Sequence, residues 1–215
     1  MQKSGKETLI HIAADGVTLD GALAVPQAAK GIVLFAHGSG SGRLSPRNNF
    51  VARSLQQAGL ATLLIDLLTP AEDRDVATRF DIPLLTQRLL ATTRWLQQQP
   101  VTGTLSIGYF GASTGAAAAL RAAAVSGGEV AAVVSRGGRP DLAGENALKA
   151  VRAPTLLIVG GDDDGVIELN RQAYGLLRCP KKLVIVPGAT HLFEEPGALE
   201  QVAAHASRWF SHYLT

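Results

Sequence analysis

Short apolar, β-branched runs, each followed by a stretch of helical periodicity, constrain this chain more than any other feature. Gly31-Ile-Val-Leu-Phe-Ala36 is apolar throughout, and related runs recur over residues 61–67, 105–110, 130–135, 155–159 and 182–186. A strand with one face in water alternates apolar and polar positions. A run without that alternation reads as a strand covered on both faces, as in a parallel sheet. Helical patterns lie between these runs, over 49–58, 82–99, 114–125, 145–150, 167–177 and 196–213. Gly59, Pro100 and Gly127-Gly128 follow the first three of them, where helices are expected to stop.

Residues 8–13 and 17–25 flank Asp15-Gly16, a turn pair, and predict an antiparallel hairpin. Strands separated by helices imply right-handed crossovers. The expected class is therefore α/β, with a mostly parallel central sheet, helices on both faces and an antiparallel N-terminal hairpin. Residues 69–81 carry no clear pattern and are too few for a cap domain. With no repeat and no linker, residues 1–215 read as one domain.

Composition narrows the function classes. The formal net charge is +2, with no block of Lys or Arg, which argues against nucleic acid or an anionic membrane as partner. Cys179 is the only cysteine, so no intrachain disulfide forms. The first residues are polar, and no run approaches the roughly 18 apolar residues of a membrane span. The expectation is a cytoplasmic protein, monomer or homodimer, acting on a small molecule. A periplasmic one without disulfides is the other reading.

Chemistry in such sheets gathers at the carboxyl ends of strands. There the chain has Gly111-Ala112-Ser113-Thr114-Gly115, between a predicted strand and a predicted helix. G-x-S-x-G in that setting is a nucleophile elbow, a turn so tight that only small neighbours fit. A glycine-rich turn whose serine merely caps a helix is the plainer alternative. A serine nucleophile needs a base, and the base an orienting carboxylate, in the chain order Ser, acid, His. His191 follows the last strand in Pro187-Gly-Ala-Thr-His191 and is the expected base. His11, His205 and His212 fall on a strand or the final helix, and His37 precedes the serine.

The acid comes from Asp162-Asp163-Asp164, after the strand over 155–159; Asp163 is first choice, Asp164 second and Asp162 third. An acidic loop at a helix N-terminus is the bland alternative, and no second acidic or His cluster supports a metal. The expected oxyanion donors are the backbone N–H groups of Thr114 and of Ser39, in the glycine-rich loop after the third strand. That loop lacks both phosphate-binding glycine patterns. Arg136 and Arg139, placed in the loop after the strand over 130–135, are candidate partners for an anionic substrate group, as are Arg43 and Arg47, and ordinary solvated or capping arginines are the plainer alternative.

Together these residues resemble the α/β-hydrolase superfamily, and within it the dienelactone hydrolase-like family. The resemblance runs from Gly21-Ala-Leu-Ala-Val-Pro26 to the final helix, through His37-Gly38, the elbow, the acid loop and Gly188-Ala-Thr-His191. It implies an acid three residues after Gly160, which is Asp163, and it implies no cofactor. True dienelactone hydrolases carry a cysteine where this chain has Ser113, so their substrate is not carried over. The expected activity is acyl-enzyme hydrolysis of small esters, thioesters or lactones. An acyltransferase with the same residues and a catalytically silent binding protein are the alternatives.

Overall fold

The computed structural model describes residues 6–214. Strands β1 (Glu7–Ala14) and β2 (Val17–Ala24) form the expected hairpin, with Ala14 opposite Val17. Asp15 and Gly16 both take positive φ, 47° and 79°, the backbone that matches a two-residue turn to strand twist. β3 (Gly31–Ala36), β4 (Ala61–Ile65), β5 (Ser106–Ala112), β6 (Val130–Arg136), β7 (Thr155–Gly160) and β8 (Lys181–Val186) complete an eight-stranded sheet of order β1-β2-β4-β3-β5-β6-β7-β8. β2 joins β4 antiparallel, and every pairing from β4 to β8 is parallel.

The strand order positions the site. From β3 the chain crosses to β4 on one side and returns to β5 on the other, so winding reverses between β3 and β5. At such a reversal the loops leaving neighbouring strands diverge and open a crevice. The loops here carry His37 and Ser113.

Helices α1 (Pro46–Gln57) and α7 (Ala198–Tyr213) cover one face. α3 (Ile82–Gln98), α4 (Thr114–Val125), α5 (Glu145–Ala150) and α6 (Asp164–Leu176) cover the other. Alternate residues of β3 feed the two cores: Ile32 and Leu34 face α3 and α4, while Val33 and Phe35 face α1 and α7. The Phe35 and Phe110 rings pack 4.9 Å apart in the second core. α4 lies against the sheet through Ala116–Ala119, all fully buried, because alanines let a helix approach closely.

Several element ends differ from the sequence expectation, for local reasons. α1 starts at Pro46, not 49: Ser45 Oγ accepts the Asn48 N–H at 3.4 Å, and Pro46 fits the first turn. α6 starts at Asp164, earlier than 167. Residues 69–81 form a 3₁₀ turn, Glu72–Arg74, and the one-turn helix α2 (Val76–Arg79), capped by Asp75. Arg88 of α3, 3 % exposed, fastens this segment to the hairpin by donating to Glu72 Oε1 at 3.0 Å and to the Ala14 carbonyl at 3.1 Å.

Candidate active site

Ser113 sits between β5 and α4 with φ 50° and ψ −120°, a backbone that few non-glycine residues adopt. The turn is too tight for larger neighbours. A Cβ on Gly111 would lie 2.4 Å from Ala116 Cα, and one on Gly115 would lie 2.2 Å from the Ala36 carbonyl oxygen. Three backbone bonds hold the strained residue. Its N–H donates to the Arg136 carbonyl at 3.3 Å, and its own carbonyl accepts from Ala116 and Arg139, both at 3.1 Å. The N-terminus of α4 begins one residue later, with its free N–H groups and partial positive charge.

His191 lies in the loop after β8. Its Nδ1 is 2.7 Å from Asp163 Oδ2, with the carboxylate side chain 16 % exposed and the imidazole 37 %. A carboxylate only accepts, so Nδ1 carries the proton and Nε2 keeps its lone pair in the neutral ring. Of the three adjacent aspartates only Asp163 reaches the ring. Asp162 and Asp164 are exposed, and the Asp162 N–H donates to the Ala189 carbonyl at 3.0 Å. Ser113 Oγ makes no hydrogen bond among the described residues. The end of β6 borders both groups: the Arg136 carbonyl holds Ser113, and a Cβ on Gly137 would lie 3.5 Å from His191 Cε1.

The loop carrying Ser39 is anchored by residues whose part sequence reasoning missed. His37, 6 % exposed, accepts the Leu67 N–H at Nε2 (3.0 Å) and donates from Nδ1 to the Gly38 carbonyl (3.0 Å). Burial lowers its pKa below 6.5, against the raising effect of the Gly38 bond, so the ring stays neutral and both contacts persist. Asp66, just past β4, accepts the Arg43 N–H at 2.5 Å and pairs with the Arg43 guanidinium. These contacts span 23 and 30 residues of chain, and no local pattern announces them.

Ser39 and Thr114 lie close against Leu68, Asp73 and Arg79, with no room for a water between them. His37, Leu68 and Asp73 also border a cavity of ≈ 280 Å³, walled further by Asp20, Arg43 and Asp66. Arg79 donates from Nε to the Asp73 carbonyl at 2.7 Å and to its Oδ1 at 3.1 Å. Residues 69–81 thus form one wall of the site, which their sequence gave no sign of.

The arginines expected to meet an anionic substrate have protein partners. Arg43 is held by Asp66, Arg47 by Glu194 at 2.6 Å, and Arg139 by Asp141 through two bonds of 2.9 and 2.7 Å. Arg136 corrects the sequence placement: it is the last residue of β6 and not a loop residue, and it is 5 % exposed. Among the described residues no three His, Cys, Asp or Glu side chains gather as metal ligands, and no helix is long and apolar enough to cross a membrane.

Comparison with known proteins agrees with this architecture. The model of the dienelactone hydrolase family matches residues 19–214. The chain is 58 % identical to a dienelactone hydrolase from Anabaena variabilis of known crystal structure, at a TM-score of 0.95, covering 99 % of this chain and 100 % of that one. Est1E from Butyrivibrio proteoclasticus shares the fold at a TM-score of 0.82 and 18 % identity, with 95 % and 98 % of the two chains covered. A Mycobacterium tuberculosis protein named "Putative phosphoribosyl transferase" is 58 % identical over 205 residues. That match takes in 95 % of this chain but 46 % of the relative, so the chain spans about half the length of the curated relatives it matches.

Proposed function

The chain belongs to the dienelactone hydrolase family, and we propose that it is a serine hydrolase of small carboxylic esters, thioesters or lactones. The observation that carries this reading is the 2.7 Å His191–Asp163 contact at the sheet edge where the strained Ser113 turn lies. In the first step Ser113 Oγ bonds to the substrate carbonyl carbon while its proton passes to His191 Nε2. The N–H groups of Thr114 and Ser39 hold the oxygen that becomes negative. His191 then returns the proton to the leaving oxygen or sulfur as that bond breaks, giving an acyl-enzyme. Water repeats the sequence, and Ser113 is regenerated. Asp163 holds the imidazole orientation and balances the imidazolium.

Two features bear on substrate. An oxygen nucleophile in place of sulfur favours general esters over the lactone chemistry of the cysteine-bearing members. Asp66 holds Arg43, which favours a structural part for it and leaves the ≈ 280 Å³ cavity beside His37 to receive the acyl or alcohol group. The transferase name belongs to relatives more than twice as long as the matched region. We attach it to the portion outside the match, because a serine elbow at the sheet edge that carries the His191–Asp163 pair suits acyl chemistry.

The test is intact-mass analysis after incubation with a fluorophosphonate. Wild type should gain one adduct, mapped to Ser113, while Ser113→Ala gains none and His191→Ala reacts far more slowly. Ester turnover should fall at least ~10³-fold in both variants, and less in Asp163→Asn. A folded wild type that takes no adduct would replace this reading with a silent binding protein.

A further inference from the structure

Arg136 is a buried cation that finds no anion. Among the described residues no carboxylate lies within ion-pair distance of it. Its Nη2 donates to Asn48 Oδ1 at 3.3 Å, and its Nε has no partner. The charge that acts on it is Arg47, of the same sign. Such a group costs the fold stability, and an apolar side chain of similar volume would cost less. What it offers in return lies in its contacts. The guanidinium stands over the Phe193 ring, 5.8 Å from the centroid, within range of a cation–π attraction.

Phe193 is itself an exception. It follows His191 by two residues, is 1 % exposed and takes φ 58°, left-handed backbone that a bulky side chain rarely adopts. Its N–H closes a turn on the Thr190 carbonyl at 3.2 Å, so ring position and His191 position are set together. At the other end, the backbone carbonyl of Arg136 holds the Ser113 N–H.

Resting on the hydrolase reading above, we propose that Arg136 is a positioning residue, tying the serine turn through its carbonyl and the histidine turn through Phe193. It touches no reacting atom. It sets how Ser113 and His191 meet.

The experiment measures neutral-ester kinetics, fluorophosphonate labelling rate and thermal unfolding for wild type, Arg136→Met, Arg136→Lys, Phe193→Leu and Arg136→Met/Phe193→Leu. A small displacement of a catalytic group is expected to lower kcat and labelling by roughly ten- to a hundredfold in Arg136→Met, with KM little changed. Arg136→Lys keeps the charge without the flat face and should fall between Met and wild type. The double variant should lose no more than the worse single one, because both substitutions break the same link. Wild-type kcat and labelling in folded Arg136→Met, or losses that multiply in the double variant, would overturn the proposal. So would a rise in KM confined to carboxylate-bearing esters, which would make Arg136 a binding residue. If Arg136→Met does not fold, Arg136→Lys decides: wild-type rates overturn the proposal, reduced rates support it. An unlabelled wild type would remove the hydrolase reading and this proposal with it, whereas labelled wild type with unaffected variants removes the proposal alone.

Discussion

Arg88 and Arg136 are both buried, at 3 % and 5 % exposed, yet their surroundings are opposite. Arg88 meets the Glu72 carboxylate and the Ala14 carbonyl, and it fastens residues 69–81 to the hairpin. Arg136 meets one amide and one aromatic ring at the edge where Ser113 and His191 lie. The first is a structural clasp whose charge is matched. The second carries its charge unmatched, so its contribution has to be sought in geometry and not in stability. His37 shows a third solution: a buried base that sheds its proton. Arginine lacks that option. Burial, and then Arg47, hold the Arg136 pKa down only to about 10, so it stays charged at neutral pH.

The sharpest test of this contrast is in stability. Arg88→Met takes from the Glu72 carboxylate its cation, leaving it only the Thr69 N–H, and should cost about 3 kcal/mol, a fall in Tm of roughly 6–12 °C. Labelling of Ser113 in the folded variant should fall less than in Arg136→Met. Arg136→Met, which leaves no carboxylate behind, should remain within about 1 kcal/mol of wild type in urea unfolding. Equal losses in the two variants would erase the distinction.

The next effect separates His37 from the arginines by pH. Its folded pKa lies below 6.5, so the stability from keeping it neutral is complete above pH 6.5 and is lost as pH falls from there through the folded value. At pH 5.5 the loss can reach about 1.4 kcal/mol. Urea midpoints at pH 7.5 and 5.5 should therefore separate more in wild type than in His37→Asn. Parallel lines would place the proton elsewhere. The smallest effect concerns Asn48, the side-chain hydrogen-bond partner of Arg136 among the described residues. Ser45→Ala removes the cap that starts α1 three residues before Asn48 and should cost about 0.5–1 kcal/mol, read by the same unfolding curves. A neutral result would mean Pro46 alone fixes that helix start.

Much of the fold was legible because its signals are local. Apolar runs, Asp15-Gly16, Gly59 and Pro100 each act within a few residues of where they stand, and the hairpin and all eight strands could be drawn to within two residues at each end. Ser113, His191 and the aspartate run stood out because their types and their places after strands are unusual together. The remainder rests on pairings across the fold. Asp66 with Arg43, His37 with Leu67 and Arg136 with Phe193 exist only once the sheet has brought distant loops to one edge. Arg136 misled for a further reason: a charged residue inside a buried strand breaks the hydrophobic pattern by which strands are read.

The backbone of Ser113 has one more consequence. Glycine, lacking a Cβ, sees a conformational map symmetric about the origin, and φ 50°, ψ −120° is the mirror image of ordinary extended backbone. What strains a serine at this turn would be restful for a glycine. Robustness and reactivity therefore pull in opposite directions at a single residue, and any lineage released from the need to react would be drawn to surrender that side chain first.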